Sequence, residues 1–201
     1  MTTALLQTTY FGPIQWYQKL NRYEQCLIEQ YDSYQKQTYR NRCVIATANG
    51  TQALTVPVSS DSPADKVKDI RISDHNQWRR IHWNALQSAY SESPFFDYYA
   101  DDIRPFYEQR YDYLVDFNEA IRQKICELID IHPQVTYTEQ WTQAPQGADF
   151  RGVINAKHPQ PDSEFEPQPY WQVFQHKHGF QPNLSILDLL FCMGPESIFY
   201  L

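Results

Sequence analysis

The first 29 residues alternate between strand-like and helix-like patterns, and this alternation constrains the fold more than any other feature. Residues 4–9 form a short apolar-to-polar run that is typical of a strand. Gly12-Pro13 interrupts the run, and Pro is favoured at the start of a helix. Apolar residues then recur at roughly helical spacing, at Ile14, Trp16, Tyr17 and Leu20. Because residues 25–29 again resemble a strand, the opening predicts a parallel strand pair joined by a crossover helix.

The middle of the chain predicts an antiparallel strand pair followed by helices. Residues 43–47 and 54–58 are typical of strands, and Asn49-Gly50 between them is a strong hairpin signal, because both residues tolerate positive φ. The alternating segment 67–72 predicts a further strand. Asp74 is a suitable N-cap for the helix that follows. Three more elements are predicted beyond it, namely a helix over 95–109, an amphipathic helix over 114–128 and a strand over 135–140.

Together these segments predict an α/β fold. We expect a single domain over residues 1–201, with a mixed sheet mainly from the N-terminal half and helices packed on it. Residues 59–65 are typical of a loop, and 143–168, rich in Pro, Gly, Gln and acidic residues, of a long loop or lid. The run SILDLL at 185–190 predicts a short helix capped by Asn183 or Ser185.

Composition and charge argue against several functional classes. The formal net charge is −7 and basic runs are short, so a nucleic-acid partner is not expected. The first residues lack the pattern of a secretory signal, and no apolar stretch approaches the length of about 18 residues that a membrane span needs. We therefore expect a cytoplasmic protein. The four cysteines lie among apolar neighbours and are expected to be buried free thiols: Cys26, Cys43, Cys126 and Cys192.

His82 is the first candidate for chemistry. It follows Trp78 by four residues, on the apolar face of a predicted helix. A histidine there can act as general base on an amine or hydroxyl, because its ordinary pKa lies near neutrality. The alternative is a hydrogen-bonded core histidine. Asp188, inside an apolar run, needs a partner if it is buried, and pairing with an arginine or with His82 would make it structural or let it orient the base.

The densest basic cluster comprises Lys36, Arg40 and Arg42. If this segment is extended, Arg40 and Arg42 point the same way and Asn41 faces the other side. Two guanidinium groups on one face suit a phosphate, a diphosphate or a carboxylate. The alternative is a solvated basic edge strand.

Gln7 and Tyr10 lie where the first predicted strand ends and the first helix begins. Ligands of open α/β sheets bind beyond the carboxyl ends of strands, and a helix start offers N–H groups to an anion. The alternative is a buried aromatic cluster. The segment is neither a glycine-rich dinucleotide motif nor a P-loop. His176 and His178 have a spacing that can bind zinc but lack an evident third ligand, so no metal site is predicted.

Five motifs run along nearly the whole chain. They are LLQTTYFGPIQWYQKL at 5–20, Lys36 with TYRNR at 38–42, LTVPV at 54–58 with DIRIS at 69–73, Trp78 and His82 with AYSESPFF at 89–96, and YWQVFQHKHGFQPNLSILDLLFCMGPES at 170–197. They resemble the motifs of the WbqC-like protein family and occur in that family's order. Thr8 and Gly12 stand where the family's opening motif usually has proline.

The resemblance implies association with surface-polysaccharide gene clusters and acyl or aminoacyl transfer to an amino sugar. On this hypothesis Arg40 and Arg42 hold a phosphate of a nucleotide-linked sugar or acyl donor, and His82 deprotonates the amine. A non-catalytic binding or scaffold protein of a glycan-assembly complex is the alternative. A nucleotide-dependent activating enzyme is a third hypothesis, by fold-level analogy alone. The sequence names no cofactor and leaves the oligomeric state open.

Overall fold

A parallel sheet is formed by the N-terminal end of the chain, in a computed structural model that describes residues 2–59, 65–143 and 148–201. Strand β1 (Thr3–Gln7) pairs with β2 (Gln25–Glu29) residue for residue, from Thr3 opposite Gln25 to Gln7 opposite Glu29. Helix α1 (Ile14–Arg22) makes the crossover between the two strands. The predicted parallel pair and its crossover helix are confirmed.

A short third strand completes this sheet. Strand β5 (Val135–Tyr137) lies parallel to β2, so that the strand order is β1-β2-β5. The strand predicted over 135–140 is therefore present, although it ends at Tyr137. The last four residues of β1 are buried, as expected for a parallel strand that is covered on both faces.

An antiparallel hairpin forms a second, separate sheet. Strand β3 (Arg42–Thr47) pairs with β4 (Gly50–Thr55) through a tight turn, and Gly50 has a φ of 108° that a residue with a side chain rarely adopts. The predicted hairpin is confirmed, but its returning strand spans Gly50–Thr55 and not the predicted 54–58. Because the turn pairs Thr47 directly with Gly50, the strand has to begin at the turn itself.

Four helices cover the middle of the chain. They are α2 (Trp78–Tyr90), α3 (Phe96–Ile103), α4 (Pro105–Glu108) and α5 (Leu114–Leu128). The amphipathic helix over 114–128 is confirmed at both ends. Its apolar stripe is buried in the core at Leu114, Phe117, Ile121 and Ile125.

Two predictions between β4 and α2 are wrong. Residues 67–72 do not form a strand: Val67–Asp69 is a 3-10 turn, and isolated bridges join Arg71 to Tyr113 and Ile72 to Val58. Asp74 does not cap α2, because Asn76 and Gln77 take positive φ values and separate it from the helix.

The C-terminal part of the chain adds the short helix α6 (Gln175–His178), helix α7 (Ile186–Met193) and a 3-10 segment, Gly194–Tyr200. The hydroxyl of Ser185 accepts a hydrogen bond from the N–H of Leu187, so Ser185 is the predicted helix cap. Asn183 instead accepts from the backbone N–H of Gln15. Every residue of α7 up to Cys192 is buried, and the predicted α/β class is confirmed.

The segment before α6 is irregular but tied to the sheet and to α1. The N–H of Leu5 donates to the carbonyl of Ala148, and the N–H of Phe150 donates to the carbonyl of Leu5, along the edge of β1 that faces away from β2. The fully buried Lys19 pairs with Asp162 at 2.9 Å. Residues 144–147 of the expected loop or lid, and 60–64 of the loop expected at 59–65, lie outside the described residues.

The four cysteines are buried and free, as predicted. Across the described ranges, no helix has both the length and the apolar character needed to cross a membrane.

Candidate functional site

The turn at residues 36–42 is held against the carboxyl end of β1 and the end of β4. The N–H of Tyr10 donates to the carbonyl of Tyr39 at 2.9 Å. The N–H of Val56 donates to the carbonyl of Asn41, and the Asn41 side chain donates back to the carbonyl of Val56, both at 2.8 Å. These bonds fix the predicted basic cluster beside the loop that follows β1, where ligands of α/β sheets commonly bind.

Arg40 and Arg42 do not share a strand face, so the predicted alternation is wrong. Strand β3 begins only at Arg42, and Arg40 lies in the preceding turn. Arg40 is buried and bonds Asp32 at 2.9 Å, whereas Arg42 is half-buried and donates to the Thr55 hydroxyl. Lys36 is exposed in the same turn.

Burial lowers the pKa of Arg40, and the neighbouring Asp32 carboxylate partly opposes this effect. A buried guanidinium with one carboxylate partner leaves N–H groups to satisfy, because arginine carries five donors. Its Nε has no hydrogen-bond partner among the described residues. Arg40 is therefore a buried cation with unused capacity to bind an anion.

Unpaired buried polar atoms concentrate around this arginine. Eight buried side-chain nitrogen or oxygen atoms in the described ranges lack a hydrogen-bond partner. Four of them belong to residues that we call the buried polar centre, namely Tyr34, Arg40, Asn41 and Asn118. The Asn118 amide donates to the carbonyl of Arg40, and the charge of Arg40 acts on the Tyr34 hydroxyl. Because native proteins rarely leave buried polar atoms unpaired, such a cluster indicates a place for a ligand or ordered water.

His82 lies on the other side of the Tyr10 loop, in a chain of hydrogen bonds. Its Nδ1 is 2.9 Å from the Tyr10 hydroxyl, which is itself 2.9 Å from the hydroxyl of Tyr107. The Trp78 ring packs against the imidazole at 5.1 Å. His82 also bonds the backbone of Thr55, the residue whose hydroxyl accepts from Arg42. Thr55 therefore connects the histidine with the basic cluster.

Burial lowers the pKa of His82 from 6.5 to about 4, against the opposing effect of the Thr55 backbone. The imidazole is therefore neutral at pH 7, and it is only 4% exposed. Because the Thr55 backbone favours the proton on one ring nitrogen, the other remains to accept from Tyr10. In this arrangement Tyr10 connects His82 with the turn at residues 36–42.

The low pKa of His82 predicts an acid-sensitive fold. Between pH 6.5 and 4 the unfolded chain binds a proton at this residue that the native state excludes, so stability falls as the pH falls. The expected loss is on the order of 3 kcal/mol. Urea unfolding at pH 7 and pH 4.5 measures it. His82→Gln should remove most of the difference, and the exposed His132→Gln should keep it. An equal pH dependence in both variants would contradict the assignment.

Asp188 lies in a different buried cluster. Its carboxylate accepts from the hydroxyls of Tyr90 and Tyr170, at 2.8 and 2.6 Å, and from the amide of Gln172 at 2.9 Å. Burial raises the pKa of Asp188, and these three hydrogen bonds oppose that effect. Among the described residues neither His82 nor an arginine is a partner of this carboxylate. Asp188 thus joins α7 to α2 and to the segment before α6.

Gln7 also has structural partners. The side-chain amide of Gln7 donates to the carbonyl of Ile154 at 2.6 Å, and the backbone carbonyl of Gln7 accepts from the indole of Trp16. The structure therefore brings Tyr10, Arg40, Asn41, Arg42 and His82 around one turn, with Lys36 on its exposed side, and directs Gln7 and Asp188 elsewhere.

Three members of this region were not predicted from the sequence, namely Tyr34, Tyr107 and Asn118. Only Asn118 carried a usable signal. It lies four residues after Leu114 and three before Ile121, on the apolar stripe of α5, where a polar residue is buried and needs a partner. The described ranges contain no group of three or more His, Cys, Asp or Glu residues that could hold a metal ion.

Comparison with known proteins connects this region to a family. A family model described as the WbqC-like protein family matches residues 7–158, which include the whole buried polar centre and His82. The chain is 26% identical to the uncharacterized protein Rv1507c of Mycobacterium tuberculosis (strain H37Rv), over 98% of this chain and 96% of that protein. No solved structure matches the chain significantly.

Proposed function

The chain belongs to the WbqC-like protein family, and we propose that it transfers an acyl or aminoacyl group to a nucleotide-linked amino sugar in surface-polysaccharide (O-antigen-type) synthesis. The resemblance of its motifs suggests the reaction class. The observation that carries the proposal is the buried polar centre, where Arg40 and three neighbours hold unpaired polar atoms beside Arg42. We place the reaction in the cytoplasm.

The phosphate of the sugar binds at Arg40 and Arg42. A phosphate oxygen would take the place of the Asp32 carboxylate, which is only partly buried and makes a single bond of 2.9 Å to Arg40. The unpaired atoms of Asn41 and Asn118 are amide oxygens, which would accept hydrogen bonds from hydroxyl or amine groups of the sugar. Lys36 adds positive charge at the exposed side of the turn. Arginine suits this role because its planar guanidinium matches the geometry of phosphate oxygens.

In the transfer step the amine nitrogen of the sugar bonds to the acyl carbonyl carbon, and the bond from that carbon to its leaving group breaks. The amine gives up a proton and the leaving group takes one up. Tyr10 and His82 provide a route for this proton, because the Tyr10 hydroxyl can pass its own proton to Nδ1 of the neutral imidazole as it takes up the proton of the amine. His82 is therefore a positioning residue. Gln7 and Asp188 support the fold around the site.

Replacing Asp32 and Arg40, the two partners of one ion pair, one at a time tests the phosphate site. Asp32→Asn frees Arg40 from its carboxylate, so the affinity for inorganic pyrophosphate should rise about tenfold, whereas Arg40→Met should abolish binding. Isothermal titration measures both. Glu119→Gln and Arg122→Met are matched controls, because that pair is also partly buried but lies on α5. Unchanged affinity in Asp32→Asn and Arg40→Met would refute the site.

A non-catalytic binding protein is the second candidate function. Large aromatic side chains are exposed at Tyr98 and Phe199, each by more than 70% of its surface, and such residues are typical of protein contacts. A scaffold protein of a glycan-assembly complex would use them and would tolerate replacement of His82. Turnover by the wild-type protein distinguishes the two functions.

A further inference from the structure

A cleft between the start of α2 and the helix α4 has no role in the reaction proposed above. Its volume is about 360 Å³, within the range of small-molecule sites. Three aromatic and three basic residues form most of its lining, namely Trp78, Trp83, Tyr107, Arg79, Arg80 and Arg104. In a chain with a net charge of −7, a group of arginines around aromatic rings favours an anion that also carries a ring.

The aromatic wall of the cleft is held in place from behind. The Trp83 ring lies 5.9 Å from both Phe96 and Tyr107, and it is half-buried. Trp78 is buried against His82 and Phe117. An indole fixed in this way can stack on a planar ring with little loss of side-chain entropy.

The arginines differ in how much of their charge is already used. Arg79 pairs with Asp74 and lies 4.6 Å above the Trp78 ring, and its buried Nε has no partner among the described residues. Arg104 bonds Glu108 at 2.6 Å. Arg80 is exposed and makes no salt bridge within the described part of the chain. Three guanidinium groups against two carboxylates leave the cleft with an excess of positive charge, which suits phosphate groups.

We propose that this cleft binds a nucleotide, with the base stacked on Trp83 and the phosphates held by Arg80 and Arg104. The inference is independent of the proposed function, because neither Arg40 nor Asn41 lines the cleft. Tyr107 belongs to both regions: it lines the cleft, and its hydroxyl bonds Tyr10. A bound nucleotide therefore contacts a residue one hydrogen bond away from Tyr10.

Titration with ADP tests the cleft, with affinity followed by calorimetry and stacking by quenching of indole fluorescence. We expect ADP to bind the wild-type protein, and both Trp83→Leu and Arg80→Ala to weaken binding by about tenfold or more. Arg80 is exposed, so its variant keeps the fold intact if Trp83→Leu is destabilised. Trp171→Leu, at an exposed indole outside the cleft, should leave the affinity within about twofold.

Three results would overturn the inference. One is the absence of ADP binding to the wild-type protein. This result would count against a nucleotide even if another anion with a ring, such as glucuronate, bound in the cleft. Another is wild-type affinity in both Trp83→Leu and Arg80→Ala. A third is loss of ADP binding in Arg40→Met alone, which would place the nucleotide at the buried polar centre and leave the phosphate site of the proposed function standing.

Discussion

Replacing Asp188 with alanine is expected to lower the free energy of unfolding by about 3–5 kcal/mol. The carboxylate is fully buried and is the common acceptor of the Tyr90 and Tyr170 hydroxyls and the Gln172 amide. Alanine would leave the two tyrosine hydroxyls buried without their acceptor, and each unpaired group costs about 1–3 kcal/mol, whereas the Gln172 amide still donates to the carbonyl of Gln181. It would also leave a cavity beside α7, which raises the cost further.

Equilibrium unfolding in urea measures this effect. Tyr170→Phe removes a single one of the three hydrogen bonds and should cost only about 1–2 kcal/mol. Asp101→Ala, at an exposed position of α3, is the matched control and should stay within about 0.5 kcal/mol of the wild-type protein. A loss below 1 kcal/mol in Asp188→Ala would contradict the view that this carboxylate joins α7 to the rest of the core.

The local sequence pattern was sufficient to predict an element of secondary structure where one periodicity dominates a segment. The apolar spacing of residues 114–128 predicted α5 at both ends, and the strand, helix and strand at the start of the chain gave a parallel pair. It failed at residues 67–72, because alternating residues also occur in a 3-10 turn flanked by single bridges. The prediction that Asp74 caps α2 failed because Asn76 and Gln77 take positive φ values, and no glycine in the sequence signals such a conformation there.

The composition of the site depends on contacts that no local pattern encodes. Tyr10 and Tyr107 are 97 positions apart in the chain and Arg40 and Asn118 are 78 apart, and both pairs are brought together by packing of α2, α4 and α5. The residue types suggested Tyr10, His82, Arg40 and Arg42, which do gather around one turn. Residue type alone does not specify that Asp188 accepts from two tyrosines instead of an arginine, because several donors in the chain could satisfy a buried carboxylate.

His82→Gln is expected to lower the rate of transfer by about 10²- to 10⁴-fold, the usual contribution of a proton-transferring group. Glutamine can retain a hydrogen bond to Tyr10 but cannot take up the proton. Since His82 is buried and bonds Tyr10 and Thr55, the variant should leave the affinity for the nucleotide-linked sugar nearly unchanged. Thermal unfolding checks that the variant is folded, because a lost fold would explain lost activity without any role in proton transfer.

Mass spectrometry of a nucleotide-linked amino sugar, incubated with the wild-type protein and acyl or aminoacyl thioesters, tests the proposed transfer directly. The proposed transfer should give a product heavier by one acyl group, formed by the wild-type protein and formed more slowly by His82→Gln, without a matching loss of affinity for the sugar. Binding of the sugar with no acylated product from any thioester, or product formed by His82→Gln at the wild-type rate, would contradict it.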